Sequence, residues 1–170
     1  MGDRGLIVAT DVRGRRVDLL ARTVRASGAR SVKIVQADAS ALPLRAGFDW
    51  ILLDAPCSGL GTLRRDPDVR WRRSESDLPR LAASQRQMLE ETARALAPGG
   101  RLVYSTCSSE PEEDEDVVAA FVASGAFKPA PPRDLPAAVQ PLVNDAGHLR
   151  TFPFRDGLEA FFGAILTRAD

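Results

Sequence analysis

Cysteine, histidine and long apolar runs are scarce in this chain of 170 residues, and each lack excludes a class of protein. Two cysteines are too few for the disulfide framework of a small secreted domain. The single histidine, His148, has no histidine partner, and Cys57 and Cys107 are not spaced as zinc ligands are, so we expect no metal site. No apolar run approaches the roughly 20 residues of a membrane span. The N-terminal segment does not have the form of a signal peptide either, so we expect a cytoplasmic chain without a membrane partner.

An excess of one charge is also lacking, because 23 basic residues balance 23 acidic ones. This balance neither requires nor excludes a nucleic acid partner. The charges are nevertheless unevenly distributed. Arginines crowd one short segment: Arg64, Arg65, Arg70, Arg72 and Arg73. Acids crowd another: Glu110, Glu112, Glu113, Asp114, Glu115 and Asp116. We expect the acids to favour the positive end of a helix dipole, and the arginines either to contact phosphates or to form a solvated surface.

Short apolar runs alternate with apolar residues at helical spacing, which is typical of a parallel α/β sheet. The runs predict buried strands at 6–10, 32–35, 48–53 and 101–105. A helix is predicted between the first two strands, and Gly28 is expected to end it.

A long helix is predicted before the fourth strand, and its inner face is marked by Leu81, Met88, Leu89, Ala93 and Leu96. We expect Pro98-Gly99-Gly100 to end this helix. The acidic run opens a further helix that Gly125 ends, and a proline-rich connecting loop follows at 128–141. The segment 148–168 is predicted to form an antiparallel hairpin on the sheet edge. We expect one domain over residues 1–170.

Acidic or reactive side chains follow each predicted strand, at the edge of the sheet where α/β folds bind ligands. They are Asp11, Asp38, Asp54 with Cys57, and Cys107. A single aspartate after a strand is more often a turn former or a helix cap. Their succession along one sheet edge instead indicates a ligand site. Asp11 has the position of the acid that accepts hydrogen bonds from ribose hydroxyls in nucleotide-binding folds, about 20 residues after a glycine-rich loop.

Cysteines just beyond two neighbouring strands can face one cleft, because adjacent strands lie about 4.8 Å apart. A thiolate that adds to carbon 6 of a pyrimidine makes carbon 5 able to attack a sulfonium methyl group. A carboxyl group in the position of Asp54 suits the N3/N4 edge of a cytosine. The alternative is that Cys57 and Cys107 are small buried hydrophobes. The residues alone do not decide which cysteine attacks.

Two motifs, Asp54-Ala55-Pro56-Cys57-Ser58-Gly59 and Ser105-Thr106-Cys107-Ser108, resemble those of the Sun (Fmu) family of RNA cytosine-5 methyltransferases. The similarity covers nearly the whole chain and is greatest to the bacterial small-subunit ribosomal RNA methyltransferase B type. It implies a Rossmann-like methyltransferase fold, with a mostly parallel sheet and a C-terminal antiparallel hairpin. It also implies S-adenosylmethionine as cofactor and RNA, ribosomal RNA in particular, as partner. The implied roles are Cys107 as nucleophile, Cys57 as an aid to product release, and Asp54 as the acid that contacts the base.

On the cofactor side, the resemblance implies that Asp11 binds the ribose and Asp38 the adenine, with Asp54 and Pro56 beside the pocket. The family's glycine-rich loop and its lysine are not found before Asp11, so we expect the first strand and this loop to be missing. In the family fold that strand lies between those ending at Asp11 and Asp54. Its loss would leave two sheet edges without a partner.

Other departures from the family concern both ends of the chain. The N-terminal RNA-binding domain of the B type is not found, and Phe154, Asp156, Glu159 and Ala160 stand where the family has histidines and an Asp-Gly pair. We therefore expect weak or no activity from this chain alone. Two alternatives stay open, a methyltransferase for an exocyclic amine and an RNA-binding remnant without cofactor binding. Trp71 is expected to pack against the chain rather than to stack on a base.

Overall fold

Residues 1–45 and 47–168 are described by the computed structural model, in which contacts divide the chain into two units, Met1–Leu44 and Arg45–Asp170. The first unit is a β–α–β motif. Strands β1 (Ile7–Asp11) and β2 (Val32–Gln36) pair in parallel, and helix α1 (Gly14–Ser27) connects them. Gly28 ends α1 with a φ of 72°, a left-handed conformation that favours glycine. The strands and the helix end were predicted from the sequence, and both predictions are confirmed.

The second unit holds the larger sheet. Its strands are β3 (Phe48–Asp54), β4 (Leu96–Thr106), β5 (Phe127–Pro129), β6 (His148–Thr151) and β7 (Phe161–Arg168). Its helices are α2 (Val69–Arg72), α3 (Leu78–Arg94), α4 (Glu115–Val122) and α5 (Pro153–Asp156). Within the described part of the chain, no helix is long and apolar enough to cross a membrane.

The larger sheet is mixed, with the strand order β3-β4-β7-β5 and with β6 also paired to β7. β3 and β4 are parallel, whereas β7 is antiparallel to β4, β5 and β6. The predicted α/β class and C-terminal antiparallel hairpin are confirmed. Strand β7 is nevertheless inside the sheet rather than on its edge, because it pairs with β4 on one side. Among the described residues β1 pairs only with β2 and β3 only with β4.

Helix α3 packs on the sheet through one side, and its buried residues are Leu78, Ala82, Gln85, Leu89, Thr92 and Ala93. Their spacing of three and four residues is that of one helix face. The inner face predicted for α3 differs from the observed buried face by a rotation about the helix axis. Leu81 and Met88, which were predicted to face inward, are only half-buried. Gln85, a polar residue, occupies the buried face instead.

The end of α3 also differs from the prediction, since the helix stops at Arg94 and not at Pro98-Gly99-Gly100. The carbonyl of Ala95 accepts the N–H groups of Gly47 and Phe48, which turns the backbone toward β3 directly after the helix. Strand β4 then begins at Leu96, a completely buried residue. The proline and glycines therefore lie within β4. The predicted loop at 128–141 likewise begins inside strand β5.

Candidate active site

Strands β3 and β4 bring Cys57 and Cys107 into contact at their carboxyl ends. The parallel pairing places Asp54 opposite Ser105, and it continues one residue further because Ala55 N–H donates to the Ser105 carbonyl at 2.9 Å. Cys107 follows directly on β4. The two sulfur atoms lie 3.0 Å apart, and both cysteines are partly exposed. Two thiols that are 50 positions apart in sequence thus meet at one point of the sheet edge.

The two thiols differ in their readiness to ionise. The hydrogen bond that joins the two sulfurs is the largest cause that lowers the pKa of Cys107, to about 7. The same bond, together with burial, raises the pKa of Cys57 far above that of an ordinary thiol. The Cys57 sulfur also accepts the backbone N–H of Cys107 at 3.3 Å. The pair therefore favours a neutral Cys57 beside a Cys107 thiolate, the form in which cysteine is a nucleophile.

Asp54 and Pro56 are exposed near the same strand end. The Ser105 hydroxyl donates to Oδ1 of Asp54 at 3.2 Å. The negative charge of Asp54 raises the pKa of Cys107 and so acts against the Cys57 hydrogen bond. The Pro56 carbonyl accepts from the side-chain amide of Gln85 at 3.0 Å, which fixes the chain just before Cys57.

A fully buried carboxylate, that of Glu113, contacts both cysteine-bearing loops. Its Oε1 accepts the backbone N–H of Ser58 at 2.8 Å and the amide of Gln85 at 2.9 Å. Its Oε2 accepts the Ser108 hydroxyl at 2.7 Å, and the hydroxyls of Ser58 and Ser108 lie 3.2 Å apart. We call Ser58, Gln85, Ser108 and Glu113 the carboxylate bridge. These four residues are all buried.

Two further acids of the run, Asp114 and Glu115, form ion pairs with Arg150. As predicted, Glu115 and Asp116 lie in the first turn of α4, but Asp114 is buried before it. Burial raises the pKa of Asp114 to about 7, although the Thr106 hydroxyl and the Arg150 charge act in the opposite direction. Burial also acts to raise the pKa of Glu115, but the Arg150 hydrogen bond at 2.8 Å outweighs it and the pKa is lowered. This part of the run is therefore a buried ion-pair cluster.

The loop that follows β3 is held closely against the rest of the second unit. Gly61 N–H donates to the Cys107 carbonyl at 3.0 Å, and the Gly61 carbonyl accepts the N–H of Ala160 at 3.0 Å. A Cβ atom at Gly61 would lie 2.1 Å from the Ala160 carbonyl oxygen, so no side chain fits there. The Arg73 guanidinium donates to the Ser58 carbonyl at 3.0 Å and fixes the far end of the arginine-rich segment.

Two aromatic side chains on the second unit are strongly exposed. Trp71 is 79% exposed beneath the guanidinium of Arg70, so the prediction that it packs against the chain is wrong. Phe154 is 86% exposed and stacks on Phe152, with 5.2 Å between the ring centroids. Arg64, in the arginine-rich segment, is exposed and donates a long hydrogen bond of 3.5 Å to the Gly157 carbonyl. Phosphate contact by these arginines stays a prediction.

Asp11 and Asp38 belong to the first unit, and both stabilise local turns. Asp11 ends β1, and its Oδ1 accepts the N–H of Arg13 at 2.7 Å. Asp38 follows β2, and its Oδ1 accepts the hydroxyl and the N–H of Ser40, two hydrogen bonds that lower its pKa. Both carboxylates follow parallel strands at the end where α/β sheets bind ligands. The predicted cofactor contacts of these residues stay predictions.

The carboxylate bridge is the part of the site that sequence reasoning missed. Gln85 carried a readable signal, because a polar residue four positions before Leu89 interrupts the apolar face of α3. Glu113 carried none, since it lies within a run of acids that resembles a solvated helix start. For Ser58 and Ser108 the only indication in the sequence was their position, since each directly follows one of the two cysteines.

Comparison with known proteins identifies what this chain is similar to. The sequence profile of the family described as 16S rRNA methyltransferase RsmB/F matches residues 1–167. The chain is 37% identical over 175 residues to ribosomal RNA small subunit methyltransferase F of Serratia proteamaculans, with 99% of this chain and 36% of that protein covered. It is 36% identical over 172 residues to ribosomal RNA small subunit methyltransferase B of Xanthomonas campestris, with 96% and 37% covered. The chain thus spans about a third of the length of the curated relatives it matches.

The fold is likewise similar to solved structures. The structure of NSun6 from Pyrococcus horikoshii with SFG superimposes with a TM-score of 0.80 and 28% sequence identity. That superposition covers 99% of this chain and 42% of the other. The Rossmann-like methyltransferase class predicted from the sequence is thereby confirmed.

Proposed function

Because this chain belongs to the 16S rRNA methyltransferase RsmB/F family, we propose that it methylates carbon 5 of a cytosine in RNA with S-adenosylmethionine as cofactor. The observation that carries the proposal is the contact between the Cys57 and Cys107 thiols, with the pKa of Cys107 lowered. The names of the relatives support small-subunit ribosomal RNA as the substrate. The family match over residues 1–167 also supports one methyltransferase domain.

The chemistry requires a nucleophile, because carbon 5 of cytosine attacks poorly by itself. The Cys107 thiolate would add to carbon 6, and the electron pair of the 5,6 double bond would move to carbon 5. Carbon 5 would then bond to the methyl carbon, whose bond to the sulfonium sulfur would break with its electron pair left on that sulfur. Water, acting as the base, would take the proton from carbon 5, the bonding pair would restore the double bond, and the bond to Cys107 would break with its electron pair on the Cys107 sulfur. When bound, S-adenosylmethionine supplies an electrophilic methyl group on a positively charged sulfur.

Cys57 and Asp54 have supporting roles in this scheme. The neutral Cys57 thiol stabilises the Cys107 thiolate before attack, and it stabilises the same charge again when the Cys107 sulfur departs. Cys57 would thus assist product release. The exposed Asp54 carboxylate would hydrogen-bond the N3/N4 edge of the cytosine and stabilise the adduct. Pro56, between these two residues, would help to shape the base pocket.

The residues of the first unit fit the adenosine part of the cofactor. Asp11 and Asp38 follow paired parallel strands, and the register that places Asp11 opposite Gln36 puts both carboxylates at one end of that sheet. Carboxylates are acceptors, which ribose hydroxyls and an adenine amine require. We propose Asp11 for the ribose and Asp38 for the adenine side.

A covalent trap tests the proposal. The chain, fused behind the glycine-rich cofactor segment of a relative, is incubated with S-adenosylmethionine and an unmethylated small-subunit ribosomal RNA transcript. The transcript contains 5-fluorocytidine, which has no proton to lose at carbon 5. A denaturing gel and peptide mapping should then find an RNA–protein adduct at Cys107. Cys107→Ala should form none, whereas Cys57→Ala should accumulate an adduct even with ordinary RNA. An adduct at Cys57 would reverse the assignment.

The same experiment separates the two alternative functions. An exocyclic-amine methyltransferase would keep its activity in Cys107→Ala and would form no adduct. An RNA-binding remnant would retain RNA in a salt-sensitive manner but would bind no cofactor in a calorimetric titration. Either result would overturn the cytosine-5 proposal.

A further inference from the structure

One carboxylate holds the chain on both sides of the thiol pair. Glu113 lies in the short turn Pro111–Glu113 after β4, and it accepts hydrogen bonds from Ser58 and Ser108, the residues that directly follow the two cysteines. Gln85 extends the same network to the other side of Cys57, because its amide donates both to Glu113 and to the Pro56 carbonyl. None of these hydrogen bonds involves a thiol. The backbone beside each sulfur is therefore fixed while the sulfur remains free to react.

The burial of Glu113 is not explained by an ion pair. Its side chain is fully buried, and no salt bridge reaches it within the part of the chain that the structure describes. A buried carboxylate is costly unless hydrogen bonds satisfy it. Here three donors do so, namely a backbone N–H, an amide and a hydroxyl. An apolar residue could fill the same volume, but it could not join the two loops.

We propose that Glu113 is a positioning residue, which fixes the separation and mutual orientation of the Cys57 and Cys107 thiols through Ser58, Ser108 and Gln85. This inference rests on the proposed function, in which Cys57 must contact the Cys107 sulfur both before attack and at release. The sulfur separation of 3.0 Å is possible only while the two loops keep their spacing. A shift of about 1 Å in a reacting group can cost roughly a hundredfold in rate.

Four variants separate this role from others. Glu113→Ala removes the bridge. Glu113→Gln keeps the shape and one carbonyl oxygen, and the Ser108 hydroxyl can then rotate to accept from the new amide. Ser108→Ala keeps the carboxylate and removes the hydroxyl that donates to Glu113, contacts the Ser58 hydroxyl and accepts the Glu110 N–H. Glu112→Gln is the matched control, because Glu112 is exposed in the same turn.

The first measurement is the rate at which the two thiols form a disulfide. A diazene reagent such as diamide takes two electrons and two protons from Cys57 and Cys107, so that the S–S bond forms as the diazene becomes a hydrazine. This rate depends on the distance between the sulfurs and requires neither RNA nor cofactor. Circular dichroism verifies that each variant is folded. The second measurement is kcat and KM for methyl transfer to the RNA transcript.

We expect Glu113→Ala to form the disulfide at least roughly tenfold more slowly and to lower kcat about a hundredfold with little change in KM. Glu113→Gln should restore most of both losses, and Glu112→Gln should behave as the original chain. Disulfide formation at the original rate in folded Glu113→Ala would overturn the inference. Equal defects in Glu113→Gln and Glu113→Ala would also overturn it, because they would indicate a role for the charge itself.

If Glu113→Ala does not fold, Ser108→Ala decides the matter. The loss of its hydroxyl, and with it of the donor to Glu113, should slow disulfide formation at least about threefold, and an unchanged rate would contradict the proposal. A failure of the proposed function gives a different pattern. The disulfide rates would then follow the bridge, but the Cys107→Ala variant would still methylate RNA.

Discussion

Removal of the Cys57 thiol should raise the pKa of Cys107 and so shift the pH dependence of its reaction with disulfide reagents to higher pH. In the original chain the pKa of Cys107 is lowered to about 7, and its largest cause is the hydrogen bond from Cys57. Cys57→Ala deletes this donor. Partial burial and the negative charges of Asp54 and Glu113 remain, and all of them raise the pKa of Cys107. We therefore expect a pKa of about 9 or above in the variant, that of an ordinary thiol or higher.

Two opposing effects then determine the reaction rate with a disulfide reagent. At pH 7 the thiolate fraction of Cys107 falls from about one half to about 1%, a loss of roughly fiftyfold. A thiolate of higher pKa is intrinsically more nucleophilic. With a Brønsted coefficient of about 0.45, a rise of two pKa units increases the rate constant of the thiolate roughly eightfold. The net loss at pH 7 is thus about sixfold. Near pH 10 almost all thiols are ionised, and Cys57→Ala should react about sevenfold faster than the original chain.

Stopped-flow absorbance with an aromatic disulfide between pH 6 and 10 measures these rates. The pH–rate profiles of the original chain and of Cys57→Ala should cross at about pH 8, where the lower thiolate fraction and the higher nucleophilicity of the variant cancel. Cys57→Ser is the matched control, because its hydroxyl still donates and should preserve most of the lowered pKa. Superimposable profiles for Cys57→Ala and the original chain would refute the reasoning. A rate at pH 7 that survives in Cys107→Ala would show that the reactive thiol is Cys57 instead.

Three further predictions concern stability. Gly61→Ala should lower the unfolding free energy by about 1–3 kcal/mol, because the new methyl group would lie 2.1 Å from the Ala160 carbonyl oxygen; a loss below about 0.5 kcal/mol in urea unfolding would contradict the clash. The folded state holds the Asp114 proton up to about pH 7, whereas the unfolded state releases it near 3.8, so this group destabilises the fold as pH rises between those values. The free energy of unfolding of the original chain, minus that of Asp114→Asn, should therefore fall by at most about 1.4 kcal/mol per pH unit between these values and then level off. A difference that does not change with pH would contradict the raised pKa of Asp114. Leu89→Ala should cost about 2–5 kcal/mol because Leu89 is completely buried, and a cost similar to that of Arg94→Ala, an exposed control on the same helix, would contradict that burial.

Local sequence patterns predicted the positions of the strands well. A strand run followed by an aspartate or a cysteine is a short-range signal, and the parallel pairing of β3 with β4 converts two such signals into one contact. The positions of Cys57 and Cys107 after two neighbouring strands were therefore sufficient to predict that both face one cleft, whereas their catalytic roles stay predictions. The phase of α3 was less predictable, because Leu81 and Leu78 lie almost equally well on an apolar face until the neighbouring sheet is known.

The burial of polar side chains could not be predicted from the sequence. Glu113 and Asp114 are buried by long-range partners, Ser58 and Arg150, which lie 55 and 36 positions away in the chain. Nothing in an acidic run distinguishes its buried members from its solvated ones. The exposed Trp71 shows the converse, since a large aromatic residue was expected to pack and does not. Propensity describes what a residue does on average, whereas these positions depend on specific neighbours.

Within residues 1–45 and 47–168, strand β3 pairs on one edge only, and its other edge has a consequence for the behaviour of the protein in solution. Trp50 and Leu52 lie on one face of this strand and are 55% and 69% exposed. Two copies of the chain could therefore associate by pairing their β3 edges, with these apolar side chains beside the new contact. The acids Asp49 and Asp54 on the same strand repel each other across such a pairing. Salt screens this repulsion over about 10 Å at 0.1 M, so self-association should grow with ionic strength. Purification at high salt would therefore favour clustering of the protein.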